Sequence, residues 1–145
     1  MDILDSIKKD HRQIETVFSE IETAQDSQKL YNCFNQLYEE INLHAEVEAK
    51  IFYPALEDCG NKELVAAAKE EHDEAKKLLE EIEFLSPTSE EFKVKIKELK
   101  QMIQEHIQEE ENELFSIFSQ YIDPEKRSKL GTEFTSFRTQ LQSEM

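Results

Sequence analysis

Apolar residues recur every three or four positions along most of the chain, which is the period of an α-helix with one buried face. Four long stripes and one short stripe follow one another, and they begin at Leu4, Leu30, Val65, Phe92 and Leu130. Turn and capping residues separate the stripes: Asp26-Ser27, Gly60-Asn61, Thr88 with Glu91 at capping-box spacing, and Asp123-Pro124. Long helices with short connections predict an all-α protein built as an antiparallel up-down four-helix bundle.

The predicted bundle covers about residues 3–122, and a short fifth helix covers about residues 124–143. The chain contains no linker or low-complexity segment, so we expect one domain over residues 1–145. The apolar residues of the fifth helix predict that it caps the bundle. A contact between two copies of the chain is the alternative, so we expect a monomer or a weak homodimer.

Polar residues interrupt each of the four long stripes at positions that should face the core. These residues are His11; His44 and Glu48; His72; and His106 and Glu110. They include all 4 histidines of the chain. Because an amphipathic helix buries roughly three positions in seven, four independent histidines would all be buried only about 3% of the time.

The six residues also lie at the same depth in the predicted bundle. In an antiparallel pair, residues at one level are equidistant from the turn. The midpoint of His11 and His44 falls in the Asp26-Ser27-Gln28 turn, that of Glu48 and His72 at Gly60, and that of His72 and His106 at Ser89. The four helices should therefore bring these side chains to one layer.

The two halves of the chain repeat each other around this layer. The segment around Asp10-His11 parallels Glu71-His72, and His44 with Glu48 parallels His106 with Glu110. The repeat predicts two similar helical hairpins related by a pseudo-twofold axis. A twofold set of ligands is suited to two equivalent metal ions.

The residue types in this layer suit a dinuclear metal centre. A histidine and a glutamate four residues apart project from one face of a helix. Four imidazoles and two bridging carboxylates form a reasonable shell for two iron or manganese ions, with zinc also possible. Imidazole must be neutral to bind, so affinity should fall below about pH 6.5. Buried, hydrogen-bonded histidines are the alternative, but six residues coincide in face, depth and repeat. Glu111 and Glu113 are weaker ligand candidates.

The composition narrows the possible partners. With 17 Lys and Arg against 33 Asp and Glu, the net charge is −16, which argues against nucleic acid and anionic membranes as partners. No apolar run is long enough for a membrane span, and the first residues do not resemble a signal peptide. Two lone cysteines, Cys33 and Cys59, then favour a reducing cytoplasm. The sequence contains no glycine-rich phosphate loop.

The pattern resembles the hemerythrin-like family, also called the HHE cation-binding domain, over about residues 3–122. The resemblance rests on Asp10-His11, on His44 and Glu48 followed by 52–56, on Glu71-His72, and on His106 and Glu110 followed by Leu114-Phe115. It implies a non-haem di-iron centre that can bind oxygen at an open coordination position. The histidines His11, His44, His72 and His106 would be terminal ligands, and Glu48 and Glu110 would be bridging ligands.

The chain departs from the oxygen-carrying branch of that family at two positions. Lys76 stands four residues after His72, where that branch has another histidine. Glu110 stands four residues after His106, where that branch has an aspartate five residues on. Because a protonated lysine cannot ligate a metal, the centre should be more open to water. Glu15 is the twofold mate of Lys76, and we consider it as an extra ligand, as a partner of Lys76, or as a solvated charge.

These departures leave three functions open. The first is a non-haem di-iron protein that binds or senses oxygen, nitric oxide or a similar small molecule without turnover. The second is a di-iron oxidoreductase acting on peroxide or nitric oxide. The third is iron storage or donation under oxidative stress. Whether the protein is an enzyme stays undecided, and sensing would require a protein partner that the sequence does not identify.

Overall fold

The computed structural model describes residues 1–145, and every regular element is helical. The helices are α1 (Ile3–Thr23), α2 (Ser27–Val47), α3 (Tyr53–Asp58), α4 (Lys62–Glu83), α5 (Glu90–Glu109), α6 (Phe115–Tyr121) and α7 (Pro124–Ser143). Two π-helical segments, π1 (Glu48–Phe52) and π2 (Glu110–Leu114), join α2 to α3 and α5 to α6. The bundle therefore consists of α1, α2–π1–α3, α4 and α5–π2–α6. The predicted all-α bundle with a fifth helix is confirmed.

Side-chain caps begin four of the helices. Asp2, Asp26 and Asp123 accept hydrogen bonds from backbone N–H groups in the first turns of α1, α2 and α7. Ser89, not Thr88, caps α5, because its hydroxyl accepts from the N–H of Phe92. The hydroxyl of Thr88 is hydrogen-bonded to that of Ser86 instead. The N-cap is thus one residue later than predicted, and because Phe92 stands at N3 the predicted capping box does not form.

Two apolar clusters fill the bundle, one on each side of the predicted polar layer. One cluster includes Ile14, Val17, Phe18, Leu37, Leu79 and Leu99. The other includes Ile3, Ile7, Val47, Phe52, Phe118 and Phe134. Along α1 and α4 a histidine separates residues of one cluster from those of the other. The layer of histidines and glutamates is therefore enclosed by apolar packing.

The π-helical segments change which residues face the core beyond the layer. A π-helical turn contains an additional residue, so the positions after it are rotated relative to a regular helix. The apolar period predicts Ile117 and Tyr121 as buried, but Tyr121 is 65% exposed. Phe118 and Ile122 are buried instead. The sequence period alone gave the wrong register because it assumed a continuous α-helix.

Helix α7 packs across the bundle against α1, α2 and π1. Its Phe134 is buried in the second apolar cluster, and Phe137 and Leu141 pack against the same cluster. The apolar face of α7 is thus turned inward, as the capping interpretation predicts. None of the helices combines the length and the apolar run that crossing a bilayer requires.

Candidate metal centre

All six residues of the predicted layer meet in the centre of the bundle. Their ligand atoms form two groups, and within each group all the atoms lie within 4.8 Å of one another. The first group contains His11, His44, Glu48 and Glu110, and the second contains Glu48, His72, His106 and Glu110. Both glutamates belong to both groups. Five of the six residues are buried, and the side chain of His72 is 14% exposed.

Each glutamate divides its two oxygens between the two groups. The Oε2 atom of Glu48 lies 3.1 Å from Nε2 of His44, and its Oε1 lies 3.4 Å from Nε2 of His72. The other carboxylate repeats this arrangement: Glu110 Oε1 lies 3.2 Å from Nε2 of His11, and its Oε2 lies 3.3 Å from Nε2 of His106. This is the arrangement that two carboxylates would need in order to bridge a pair of metal ions.

The chemistry of the layer fits metal ions better than internal hydrogen bonds. Seven buried side-chain polar atoms have no hydrogen-bond partner, and five belong to this layer: Nε2 of His11 and of His44, both oxygens of Glu48, and Oε1 of Glu110. Each unsatisfied buried group costs about 1–3 kcal/mol, and more where it is charged. Ligands held about 2.0–2.2 Å from one ion lie roughly 3 Å from one another, as these atoms do. The residues therefore fit two divalent cations.

A second set of carboxylates orients three of the histidines. Nδ1 of His44 lies 2.9 Å from Oδ2 of Asp10, and Nδ1 of His106 lies 2.9 Å from Oε1 of Glu71. Asp10 and Glu71 are twofold mates, and each supports the histidine on the next long helix. A carboxylate on Nδ1 leaves the Nε2 lone pair for a metal. The repeat of Asp10-His11 in Glu71-His72 was the available signal for this role, but the sequence analysis did not assign Asp10 and Glu71 as orienting residues.

Glu111 supports the third histidine. Its Oε2 lies 2.6 Å from Nδ1 of His11, and it also pairs with Arg12. Glu111 is therefore outside both ligand groups, although the sequence made it a weaker ligand candidate. The other weaker candidate, Glu113, is exposed and also lies outside both groups.

The histidines differ in how readily they hold a proton. Burial lowers the pKa of His72 to about 3, so its ring is neutral at physiological pH. Burial also opposes charge on His106, but hydrogen bonds to Glu110 and Glu71 outweigh it and raise the pKa to about 10. For His44 burial is likewise overcome, because Glu48 and Asp10 raise its pKa well above the ordinary value. A metal ion bound by His44 and His106 would therefore have to compete with protons for these nitrogens.

Tyr53 breaks the twofold symmetry of the layer. Its hydroxyl donates to Oε2 of Glu110 at 3.2 Å and lies 3.2 Å from Nε2 of His72. Burial, with the charges of Glu48 and Glu110, raises the pKa of Tyr53 well above its ordinary value, so the hydroxyl keeps its proton. The corresponding residue in the other half is Phe115, which has no hydroxyl. Sequence reasoning missed Tyr53, and that mismatch between the two halves was the available signal.

A small cavity of about 30 Å³ adjoins the layer on the side of the first apolar cluster. All four histidines line it, together with apolar side chains that include Ile14, Ile41, Ala75 and Ile103. This volume has room for about two water-sized molecules. A molecule of this size in the cavity would lie next to the histidines of the layer.

The structure also shows the surroundings of Glu15, for which the sequence left three roles open, and of Lys76 and the two cysteines. Glu15 is 40% exposed and pairs with Arg12 at 3.1 Å, so it belongs to neither ligand group and does not contact Lys76. Lys76 lines the cavity. Cys33 and Cys59 are free thiols, and burial raises the pKa of both, which disfavours the reactive thiolate.

A helical bundle that encloses four histidines and two shared carboxylates defines a metal-binding bundle protein. The family model for the hemerythrin HHE cation binding domain matches residues 2–118. The chain belongs to this family, as the resemblance implied. The ligand roles of the six residues stay predictions.

Two known proteins are similar to the chain in sequence, and one solved structure is similar to it in fold. It is 30% identical over 145 residues to a DNA nickase of a Nostoc species, covering all of this chain and 41% of that protein. It is 26% identical to an uncharacterized hemerythrin-like protein of Schizosaccharomyces pombe, covering 91% of this chain and 66% of that protein. The chain thus spans less than two thirds of either relative. A crystal structure of a hemerythrin HHE cation binding domain-containing protein from Mycobacterium kansasii matches the fold with a TM-score of 0.90 at 21% identity, covering 99% of this chain and 89% of that one.

Proposed function

We propose that the chain is a non-haem di-iron protein that binds or senses oxygen, nitric oxide or a similar small molecule. The observation that carries the proposal is the pair of buried glutamates shared by two groups of ligand atoms, each group lying within 4.8 Å. Two bound iron ions would supply a redox-active centre with an open position for the ligand. Imidazole and carboxylate ligands also suit manganese or zinc, so the metal itself is part of the proposal.

The chain's own residues give the two halves of the centre different roles. His11 and His44 are buried and are oriented by Glu111 and Asp10, which favours a closed, firmly held half. No carboxylate contacts Nδ1 of His72, because the twofold mate of Glu111 is Ala49. We therefore infer that the small molecule is bound in the His72 half, beside Tyr53 and the cavity.

Absorption spectroscopy tests this proposal. Protein loaded anaerobically with two Fe²⁺ per chain is exposed to nitric oxide or to oxygen, and new visible bands should appear in proportion to the iron. A control with the variant Glu48→Gln, which lacks one bridging carboxylate, should give weak bands or none. Iron-loaded wild-type protein whose spectrum does not change with either gas would contradict small-molecule binding.

A second candidate is a di-iron oxidoreductase acting on peroxide, in which two bound Fe²⁺ ions would supply the two electrons. The position of Tyr53 favours this candidate. The phenol proton lies between His72 and Glu110, where it can be donated to an oxygen atom held in this half. A positioned general acid contributes typically 10²–10⁴-fold to a rate. Tyr53→Phe should therefore lower the rate of peroxide consumption by about 10² while metal content stays unchanged. The control Tyr121→Phe removes an exposed hydroxyl and should have no effect. Equal rates in all three proteins would exclude this role.

We do not extend DNA nicking from the Nostoc relative to this chain. The chain corresponds to 41% of that protein, and its net charge of −16 opposes binding to a phosphate backbone. Two ligand groups would hold two ions per chain, and so small a number suits ligand binding better than bulk storage of iron.

A further inference from the structure

Helix α7 contacts the candidate metal centre, although it lies outside the residues 2–118 that the family model matches. Nε of Arg138 donates to Oδ1 of Asp10 at 2.9 Å, and Oδ2 of the same carboxylate accepts from Nδ1 of His44 at 2.9 Å. One turn earlier, the ring of Phe134 lies edge-on to the ring of His44, with centroids 6.5 Å apart. Two residues of α7, Arg138 and Phe134, thus contact either the candidate ligand His44 or the carboxylate that orients it.

We propose that Arg138 is a positioning residue that sets the metal affinity of the His11–His44 half through Asp10. The inference rests on the proposed metal function. The carboxylate of Asp10 is only 6% exposed, and a buried carboxylate without a cationic partner is costly and free to turn away. Arg138 neutralises it and fixes one oxygen, so that the other oxygen stays on His44.

Glu40 makes this placement of Arg138 specific. Nη2 of the Arg138 guanidinium donates to Oε2 of Glu40 at 2.8 Å, while Nε donates to Asp10. A planar guanidinium can hold two carboxylates in one fixed arrangement, whereas a lysine ammonium on a flexible stem cannot. The two contacts therefore tie α1, α2 and α7 together beside the centre.

The other half of the centre has no equivalent contact. Glu71, which supports His106, is 36% exposed and forms no ion pair with an arginine or lysine. Removing Arg138 should therefore weaken one of the two ions and leave the other unchanged. A general loosening of the bundle would weaken both.

The test is an anaerobic titration of purified protein with Fe²⁺ against a competing chelator, carried out on wild-type protein, Arg138→Gln, Arg138→Lys and Arg127→Gln. Arg127 is the matched control, because it also joins α7 to α1, through Asp2, but does not contact the centre. Repeating the titration with Co²⁺ on ¹⁵N-labelled protein identifies the weakened half. Amide signals of α7 report the half beside His44, and those of α4 report the half beside His72.

Loss of an outer carboxylate's support typically costs 10–100-fold in metal affinity. We expect Arg138→Gln to lose about that much for one ion only, Arg138→Lys to lose less, and Arg127→Gln to bind both ions as the wild type does. Unchanged affinities in Arg138→Gln, or equal losses for both ions in Arg138→Gln and Arg127→Gln, would overturn the inference. If Arg138→Gln does not fold, the same titration compares Arg138→Lys with Arg127→Lys. Weaker binding of one ion in Arg138→Lys alone supports the inference, and equal affinities in the two variants overturn it. Wild-type protein that binds no metal would instead overturn the proposed function, and this inference with it.

Discussion

Glu48 and Glu110 carry the central argument at the scale of single residues. Each directs one oxygen to a histidine of one group and the other oxygen to a histidine of the second group. Both oxygens of Glu48 are buried without a hydrogen bond. A carboxylate of purely structural use would be paired with hydrogen-bond donors, so this arrangement indicates that cations complete it.

Replacing either glutamate that the two ligand groups share should abolish the proposed dinuclear centre. Glu48→Gln and Glu110→Gln keep the size of the side chain but remove the charge that two ions share, so metal content should fall from two ions per chain to one or none. Glu15→Gln, which alters an exposed carboxylate paired with Arg12, is the control and should keep both ions. Elemental analysis measures all three variants. Two ions retained in Glu48→Gln would show that its carboxylate is not a ligand.

Metal binding should release protons. Hydrogen bonds to carboxylates raise the pKa of His106 to about 10, so its ring is protonated at pH 7.5 without metal, and they also raise the pKa of His44. Binding then releases at least one proton per chain, and apparent affinity continues to rise with pH towards about 10. Metal affinity should therefore depend on pH well above about 6.5, the value below which the sequence predicts that affinity falls. Calorimetry in two buffers of different ionisation enthalpy measures the release, and identical heats in both buffers would contradict it.

The same raised pKa values affect the stability of the metal-free protein. A histidine whose pKa is higher in the folded state stabilises that state below its unfolded value of about 6.5. For His106, this contribution declines as the pH rises through about 10. Metal and proton therefore stabilise the same layer in alternative ways.

At the scale of helices, the π-helical segments begin at the two glutamates that both ligand groups share. Such segments are rare and frequently occur at functional sites. Here they rotate the following residues, so that Tyr53 reaches the layer and Phe118 enters the core. The spacing of apolar residues does not predict a π-helical turn. For this reason the sequence could not show which residues after Glu48 and Glu110 are buried.

Gly131 explains how α7 approaches the start of α1 so closely. A Cβ atom at this position would lie 1.9 Å from the carbonyl oxygen of Met1 and 2.9 Å from the backbone nitrogen of Ile3, which is fully buried. Gly131→Ala should therefore destabilise the protein by about 1–3 kcal/mol, although alanine favours helix. Denaturant unfolding measures the change. The exposed Ser128→Ala on the same helix should stay within about 0.5 kcal/mol of wild type, and equal stability of both variants would contradict the close approach.

For the molecule as a whole, the four-helix bundle and the depth of the six polar residues could be predicted because both follow from periodicity and symmetric spacing. The supporting contacts could not. Asp10 on α1 contacts His44 on α2, and Arg138 on α7, near the other end of the chain, contacts Asp10. Such contacts depend on how the helices are rotated and packed, which the spacing of residues along one helix does not determine.

Metal should also dominate the stability of the whole bundle. A ligand that binds only the folded state stabilises it by about 2.7 kcal/mol at 100 times its dissociation constant, and two ions would contribute twice. A chelator should therefore lower the melting temperature of loaded wild-type protein. It should not change that of a Glu48→Gln, Glu110→Gln double variant, and an unchanged wild-type value would indicate that the layer is stable without metal.

The most direct test of the account is the number of metal ions per chain. Untagged protein is purified at neutral pH, loaded anaerobically with Fe²⁺, freed of excess metal and analysed for its elements. The two ligand groups that share Glu48 and Glu110 predict two iron ions per chain. Protein that retains no metal after this loading would show that the six residues form a structural layer, and the proposed di-iron function would be wrong.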